Sequence, residues 1–218
     1  MRKKSKALIL AGLLLLAAAL SLTAYNLRED TRAKATAEEA VSCLKTILPE
    51  SEDASLAEGV ASPALPGELP GGEVAIPDHM LKSVVEMPVQ TVNGQDYVGV
   101  LEIPCLSLEL PVISEWNDSR LTIAPCRYKG SAYTGDLIIA AHNYRSHFGR
   151  LKNLRPGDAL TFTDIDGNAF LYEVAELEIL KPAAVAEMES GDWDLTLFTC
   201  TVGGRSRVIL RCVSVKEG

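Results

Sequence analysis

The chain has 218 residues, a formal net charge of -8 and a sequence pI of about 5.0. This acidic balance excludes a protein that binds nucleic acid mainly through phosphate contacts, because such proteins cluster Lys and Arg. Aromatic residues make up 6% of the chain, which disfavours stacking platforms for single-stranded nucleic acid. The five cysteines are too sparse and too odd in number for a disulfide scaffold. These features favour a membrane-associated or exported protein with one ordinary soluble domain.

The first predicted element is a membrane anchor at residues 1–27. Basic residues between Arg2 and Lys6 precede a run without charge, Ala7–Tyr25. As a helix this run would span roughly 28 Å, close to the hydrocarbon thickness of a bilayer. The positive-inside rule then places the basic tip in the cytoplasm and the rest of the chain outside the cell. A cleaved signal peptide is the alternative, but the apolar run is long and residues 22–24 match a cleavage site poorly.

Two segments connect this anchor to the rest of the chain. Residues 28–48 are predicted to form a juxtamembrane helix, since apolar residues recur at spacings of three and four from Ala33 to Leu48. The same stripe would also suit a helix that binds a partner protein. Residues 49–83 are acidic and are interrupted by several prolines and a Gly-Gly pair. Such a segment buries too little apolar surface to offset its ordering entropy, so we predict a flexible linker.

The remaining segment, residues 84–218, has the size of a single domain. It contains short β-like runs separated by turn signals such as those at 156–158 and 166–168. This pattern predicts a mostly β domain, a barrel or a sandwich, with short helical pieces near Ser119–Leu121 and Phe148–Leu151. The predicted strands are Tyr97–Pro104, Leu106–Ile113, Asp136–Ala141, Ala159–Thr163, Ala169–Leu180, Leu195–Thr201 and Arg207–Val215.

Two residues at the ends of predicted strands suit nucleophilic catalysis. Cys200 ends an apolar strand just before the chain turns, and His142 follows another apolar strand and opens a polar loop. An imidazole beside a thiol stabilises the reactive thiolate. A buried structural Cys and a surface His are the alternatives. A zinc site would also use Cys and His, but the cysteines contain no C-x₂₋₄-C pair, so no metal site is predicted.

The sequence around Cys200 resembles a known family. Thr196-Leu197-Phe198-Thr199-Cys200 matches the TLxTC signature of sortases, the membrane-anchored cysteine transpeptidases of Gram-positive bacteria. The resemblance covers most of Tyr97–Cys212 in the same order. Residues 136–142 resemble the strand that ends in the catalytic His, and Arg207–Arg211 resembles the strand that begins with the catalytic Arg. One departure is the residue before His142, which is Ala where many members have Gly.

This resemblance implies an eight-stranded sortase-like β-barrel that follows the N-terminal transmembrane helix and linker. It also implies a two-step acyl transfer in an extracellular, membrane-anchored catalytic domain. Cys200 would attack the Thr–Gly carbonyl of an LPxTG-like sorting signal. His142 would protonate the leaving amine and then deprotonate the incoming one. Arg207 would hold the oxyanion or the substrate backbone.

The same resemblance implies substrate contacts and partners. Thr199 and Ala141 flank the catalytic residues, and Val185 lies in the apolar connection Lys181–Asp194, which corresponds to a wall of the family's sorting-signal groove. The implied partners are secreted proteins with a C-terminal sorting signal, and an amine acceptor: lipid II, a peptidoglycan stem peptide or a pilin lysine. Membrane lipid would surround the N-terminal helix. We expect no cofactor, no metal ion and no nucleic acid.

Two other functions stay open on the sequence alone. An extracytoplasmic thiol hydrolase, a cysteine peptidase, would use the same nucleophile with water in place of the amine. A tethered binding module without enzymatic activity would have Cys200 as a structural residue.

Overall fold

The computed structural model describes residues 2–48, 86–201 and 203–215, with side chains from Ile9 onward. The linker predicted at 49–83 lies outside the described residues. The described helices are α1 (Arg2–Ile47), α2 (Asp118–Leu121) and α3 (Val185–Glu189). The described strands are β1 (Gln90–Val92), β2 (Gln95–Ile103), β3 (Leu108–Ile113), β4 (Cys126–Lys129), β5 (Leu137–Ala141), β6 (Ala159–Asp164), β7 (Ala169–Leu180), β8 (Leu195–Cys200) and β9 (Arg207–Ser214).

These strands form one sheet that closes on itself. The strand order is β1-β2-β3-β4-β5-β8-β9-β7-β6, and β6 also pairs with β2. This closure makes β2 to β9 an eight-stranded barrel and leaves β1 as an extra strand on β2. The pairs β3–β4 and β5–β8 are parallel and the others are antiparallel. The predicted mostly β fold with an eight-stranded barrel is confirmed.

Strand β5 is buried on both faces, which explains its continuous apolar sequence. Leu137 and Ile139 point into the barrel interior with Leu197 and Leu210 from neighbouring strands. The alternate residue Ile138 belongs to a separate apolar cluster on the outer face. A strand in this position cannot slip by one residue without exchanging the two buried sets, so its register is strongly specified.

The C-terminal half of α1 covers the outer face of β2 and β3. Leu44 keeps 1% of its surface exposed and packs in a cluster with Tyr97, Val100 and Ile113. The apolar stripe of the predicted juxtamembrane helix therefore contacts the chain's own barrel. The N-terminal half of α1 is exposed and apolar, and by length and composition this helix could cross a membrane. Helix α1 runs without a break through the boundary predicted at residues 27 and 28.

The local predictions miss β1, β4 and α3. Strand β4 has the short polar sequence Cys-Arg-Tyr-Lys, which shows no apolar alternation from which a strand could be predicted. It pairs with β3 only at Ile113 and Cys126. The start predicted for β3 at Leu106 is also early, because Pro104–Leu106 forms a 3₁₀ turn that ends at Ser107 with a positive φ of 50°. The helical piece expected near Phe148–Leu151 lies later, as a 3₁₀ turn at residues 151–153.

We expect Leu44→Ala to lower the free energy of unfolding by about 2–5 kcal/mol, because the substitution leaves a cavity between α1 and the barrel. Ile47→Ala is the matched control, since Ile47 lies on the same helix and is 50% exposed. Urea unfolding of the full chain in detergent micelles, followed by tryptophan fluorescence, measures both. Equal losses in the two variants would contradict the observed packing of α1.

Candidate active site

The strand register brings Cys200, His142 and Arg207 to the same end of the barrel, at the adjoining ends of β8, β5 and β9. The parallel strands β5 and β8 place Ala141 opposite Thr199, so His142 and Cys200 each follow at the same end of the sheet. The antiparallel pairing of β8 with β9 places Arg207 directly opposite Cys200. Directly opposite residues of two paired strands point to the same face. The structure therefore brings His142 together with Cys200 and Arg207, which lie more than fifty residues later in the sequence.

The face that carries Cys200 continues along the strands as an apolar strip. Phe198, two residues before Cys200, packs there with Ile138 from β5 and Ile209 from β9. Helix α3 covers one side of this strip with the buried Met188. We define these four residues, with Ala140, as the outer apolar strip. It lies next to the thiol, and all five of its residues are buried.

The thiol of Cys200 is exposed at the end of β8, and a tight turn follows it. The backbone N–H of Thr201 donates to the Ser206 carbonyl at 2.8 Å, and the Ser206 N–H donates to the Thr201 hydroxyl at 3.1 Å. These bonds close the chain reversal, so Arg207 starts β9 at the first position beyond the turn. Arg205 lies within the turn and is exposed.

The other cysteines differ in accessibility. Cys126 and Cys212 are buried, and burial raises the pKa of each thiol to about 12. A thiol with so high a pKa is not a nucleophile at neutral pH. Cys43 is half-buried on α1, whereas Cys105 is exposed on the turn after β2. Cys105 is therefore the accessible thiol to which Cys200 has to be compared.

Arg207 has an unused donor beside Cys200. Its guanidinium carbon lies 5.6 Å from the centroid of the Phe198 ring, which holds the side chain over the outer apolar strip. Its Nε is buried and has no hydrogen-bond partner among the described residues. A buried donor without a partner costs free energy that an oxygen atom of a ligand would recover. The arrangement suits a carbonyl oxygen or an oxyanion at the thiol.

His142 is half-buried, and its surroundings favour the neutral imidazole. Burial lowers the pKa of His142, and the negative charge of Asp118 on α2 raises it by a smaller amount. The net result is a pKa below the ordinary value, so the ring is mostly neutral at neutral pH. A neutral imidazole can accept a proton from a thiol or an amine. The ring of Tyr144 lies beside it, with the two centroids 5.1 Å apart.

A compact loop follows His142. The Tyr144 carbonyl accepts hydrogen bonds from the N–H groups of His147 at 3.0 Å and of Gly149 at 2.8 Å. The Phe148 N–H donates to the carbonyl of His142 at 3.2 Å. His147 is fully buried under the loop, and burial lowers its pKa to about 4. The loop therefore has one accessible imidazole, that of His142, and one buried neutral imidazole.

The three predicted substrate contacts lie in two different places. Val185 is half-buried on α3 and packs against the outer apolar strip. Ala141 belongs to the barrel interior, and Thr199 is 2% exposed, opposite the interior residue Val208. The side chains of Ala141 and Thr199 therefore face the barrel interior, whereas the side chain of Val185 is partly exposed on α3. Within residues 9–48, 86–201 and 203–215, no group of three or more His, Cys, Asp or Glu side chains is placed to hold a metal ion.

Sequence reasoning overlooked three contributors to the site. Asp118 lies directly before the short helical piece predicted near Ser119–Leu121, and its carboxylate acts on His142. Tyr144 lies in the polar loop and contacts His142 through its ring. Phe198 is the variable position of the TLxTC signature, and it contacts Arg207. The alternation of β8 would have placed Phe198 on the face of Cys200, but nothing in the sequence points to the other two.

We expect Asp118→Asn to lower the pKa of His142, because the substitution removes a negative charge that favours the imidazolium. Glu115→Gln is the matched control, since Glu115 lies in the same segment but pairs with Arg120 at 3.2 Å. A proton NMR titration of the imidazole resonances, assigned with His142→Gln, measures the pKa. A pKa that stays constant or rises in Asp118→Asn would contradict the described site.

Comparison with known proteins identifies the family to which this site belongs. The family model described as the sortase domain matches residues 101–215, just over half of the chain. Sortase A from Corynebacterium diphtheriae has a similar fold, with a TM-score of 0.53 and 18% identity over 64% of this chain and 81% of that one. A sortase D5 transpeptidase from Clostridium perfringens has a TM-score of 0.50 and 20% identity over 58% of this chain and 83% of that one. Sortase C from the same organism, solved with the C-terminal cell wall sorting motif, has a TM-score of 0.50 and 20% identity over 56% of this chain and 72% of that one. No curated protein sequence matches the chain. The family match begins within β2, continues past the end of β9 and includes His142, Cys200 and Arg207, and the chain belongs to the sortase family.

Proposed function

We propose that the protein is a cysteine transpeptidase that cleaves an LPxTG-like sorting signal and transfers the acyl group to an amine. The observation that carries the proposal is the register that places Arg207 opposite Cys200 and His142 at the same level. This arrangement provides a nucleophile, a proton carrier and an oxyanion donor on one face. Membership of the sortase family supports the same reaction.

In the first step, the sulfur of Cys200 attacks the Thr–Gly carbonyl of the signal and its proton passes to His142. The carbonyl oxygen becomes an oxyanion while the C–S bond forms. The C–N bond to Gly then breaks, and His142 returns the proton to the leaving amine. The products are a thioester on Cys200 and a released C-terminal peptide. The neutral state favoured for His142 prepares it to accept the first proton.

In the second step, an amine attacks the thioester and gives a proton to His142. A new amide bond forms, the C–S bond breaks, and Cys200 takes the proton back. Arg207 serves both steps, because each passes through an oxyanion at the same carbonyl. Its buried Nε, free of partners among the described residues, supports this role.

The half-buried Val185 on α3, beside the outer apolar strip, supports the recognition of a Leu-Pro segment. Its apolar side chain would contact one of these two residues of the signal. Helix α3 is held in place by the buried Arg211, which donates to the carbonyls of Met188 at 2.7 Å and Glu187 at 2.8 Å.

The apolar half of α1 supports an anchored enzyme that works outside the cell. The basic tip would stay in the cytoplasm, with lipid around residues 7–25. The donor substrates would be secreted proteins with a C-terminal sorting signal. The acceptor would be an amine of the cell wall or of a pilin, that is, of lipid II, a stem peptide or a pilin lysine.

We expect Cys200→Ala to abolish cleavage of an LPxTG peptide while the circular dichroism spectrum stays unchanged, because only the nucleophile is removed. Cys105→Ala is the matched control, since Cys105 is also exposed, and it should keep full activity. Mass spectrometry of the products, with and without an added amine, separates transfer from hydrolysis. Residual cleavage by Cys200→Ala would refute the proposed function, and hydrolysis that no amine diverts would favour a thiol hydrolase.

We expect Arg207→Ala and Arg207→Lys to lower kcat by about 10²–10³, the usual cost of losing one oxyanion donor. Lysine would fail because an ammonium does not reproduce the planar fork of a guanidinium. Arg205→Ala is the matched control, since Arg205 is exposed in the turn two residues earlier, and its activity should change little. Steady-state cleavage of a fluorogenic signal peptide measures all three. Damage by Arg205→Ala with an active Arg207→Ala would show that the proposed role of Arg207 is wrong.

A further inference from the structure

Helix α1 contacts the loop that follows His142. Asp30 Oδ1 accepts hydrogen bonds from the backbone N–H of Ser146 at 3.1 Å and from its hydroxyl at 2.7 Å. The Ser146 hydroxyl also lies 3.3 Å from the backbone carbonyl oxygen of Asp30. One carboxylate oxygen thus holds both donors of one loop residue. Hydrogen bonds to a charged acceptor are stronger than those between neutral groups.

Ser146 lies in the turn that the hydrogen bond between Tyr144 and His147 closes. It stands between Tyr144, whose ring contacts His142, and the buried His147. The Tyr144 carbonyl on one side and the His147 N–H on the other form the hydrogen bond that closes the turn around Ser146. Fixing Ser146 therefore restrains Tyr144, and Tyr144 restrains the ring of His142.

The contact lies close to the point where α1 would leave the membrane. Asp30 comes five residues after Tyr25, the end of the uncharged run, which is about 8 Å along a helix. Two other polar side-chain contacts join α1 to the barrel among the described residues, and both lie further along the helix. Asn93 donates to Glu39 at 3.3 Å, and Lys45 pairs with Glu109 on β3. Neither of these contacts involves the loop after His142.

We propose that Asp30 is a positioning residue for His142: from the membrane-proximal part of α1, its carboxylate holds Ser146 and keeps the imidazole in place at Cys200. The inference rests on the proposed function for its effect on turnover. Its structural part, the orientation of the His142 ring, does not depend on that function. The role is indirect, because the hydrogen bonds of the Asp30 carboxylate to the described barrel residues go to Ser146.

The test uses the full chain in detergent micelles. We expect Asp30→Ala to lower kcat for a sorting-signal peptide by about tenfold or more, because small displacements of a catalytic group can cost up to about a hundredfold. KM should stay within about twofold, since the outer apolar strip is unchanged. Asp30→Asn keeps an oxygen that accepts from Ser146 and should recover most of the activity. Glu39→Ala is the matched control, because it removes another hydrogen bond between α1 and the barrel.

A second readout separates this inference from the proposed function. The proton NMR resonance of the His142 ring should shift in Asp30→Ala and stay in place in Glu39→Ala, whatever reaction the chain performs. An unchanged His142 resonance in Asp30→Ala would overturn the inference. Equal losses of kcat in Asp30→Ala and Glu39→Ala would also overturn it, because the contact would then only dock the helix. An unaltered chain without transfer activity would refute the proposed function alone.

Discussion

The parallel pairing of β5 with β8 is the interaction on which the site depends. It sets Ala141 opposite Thr199, and the next residue of each strand is a proposed catalytic residue, His142 or Cys200. Both strands are buried on their two faces, apart from the exposed thiol at the end of β8. A slip by one residue would exchange the interior and outer sets of side chains and turn the thiol into the barrel. The packing that stabilises the barrel therefore also fixes the position of Cys200.

The outer surface of the barrel is covered in two places, and the site lies at the strand ends beside the second. Helix α1 covers β2 and β3, while α3 lies against the outer face of β5, β8 and β9. The cover by α3 depends on Arg211, which is 3% exposed and bonds two carbonyls of the helix. A buried guanidinium is stable only with such partners, so β9 and α3 fix each other. The remaining opening at the strand ends exposes Cys200.

The electrostatic features of the site follow from this partial cover. His142 is buried enough for its pKa to fall, yet it stays close enough to Asp118 for the carboxylate to oppose the fall. Arg207 lies over Phe198 with a buried nitrogen that no described residue uses. A neutral proton acceptor and an unused donor thus flank one thiol. These are the properties that an acyl transfer through an oxyanion requires.

The sequence by itself determined the elements with strong local patterns. Alternation and turn residues predicted the barrel strands β2, β3 and β5 to β9, and strand-end positions together with the family resemblance selected Cys200, His142 and Arg207 as candidates. The tertiary structure decided which side chains meet, because only strand register places Thr199 inside the barrel and Phe198 beside Arg207. It also decided that the apolar stripe of α1 packs on the barrel and that Asp30 reaches Ser146. Periodicity shows that a face is apolar, but the surface that covers it depends on contacts between residues far apart in the chain.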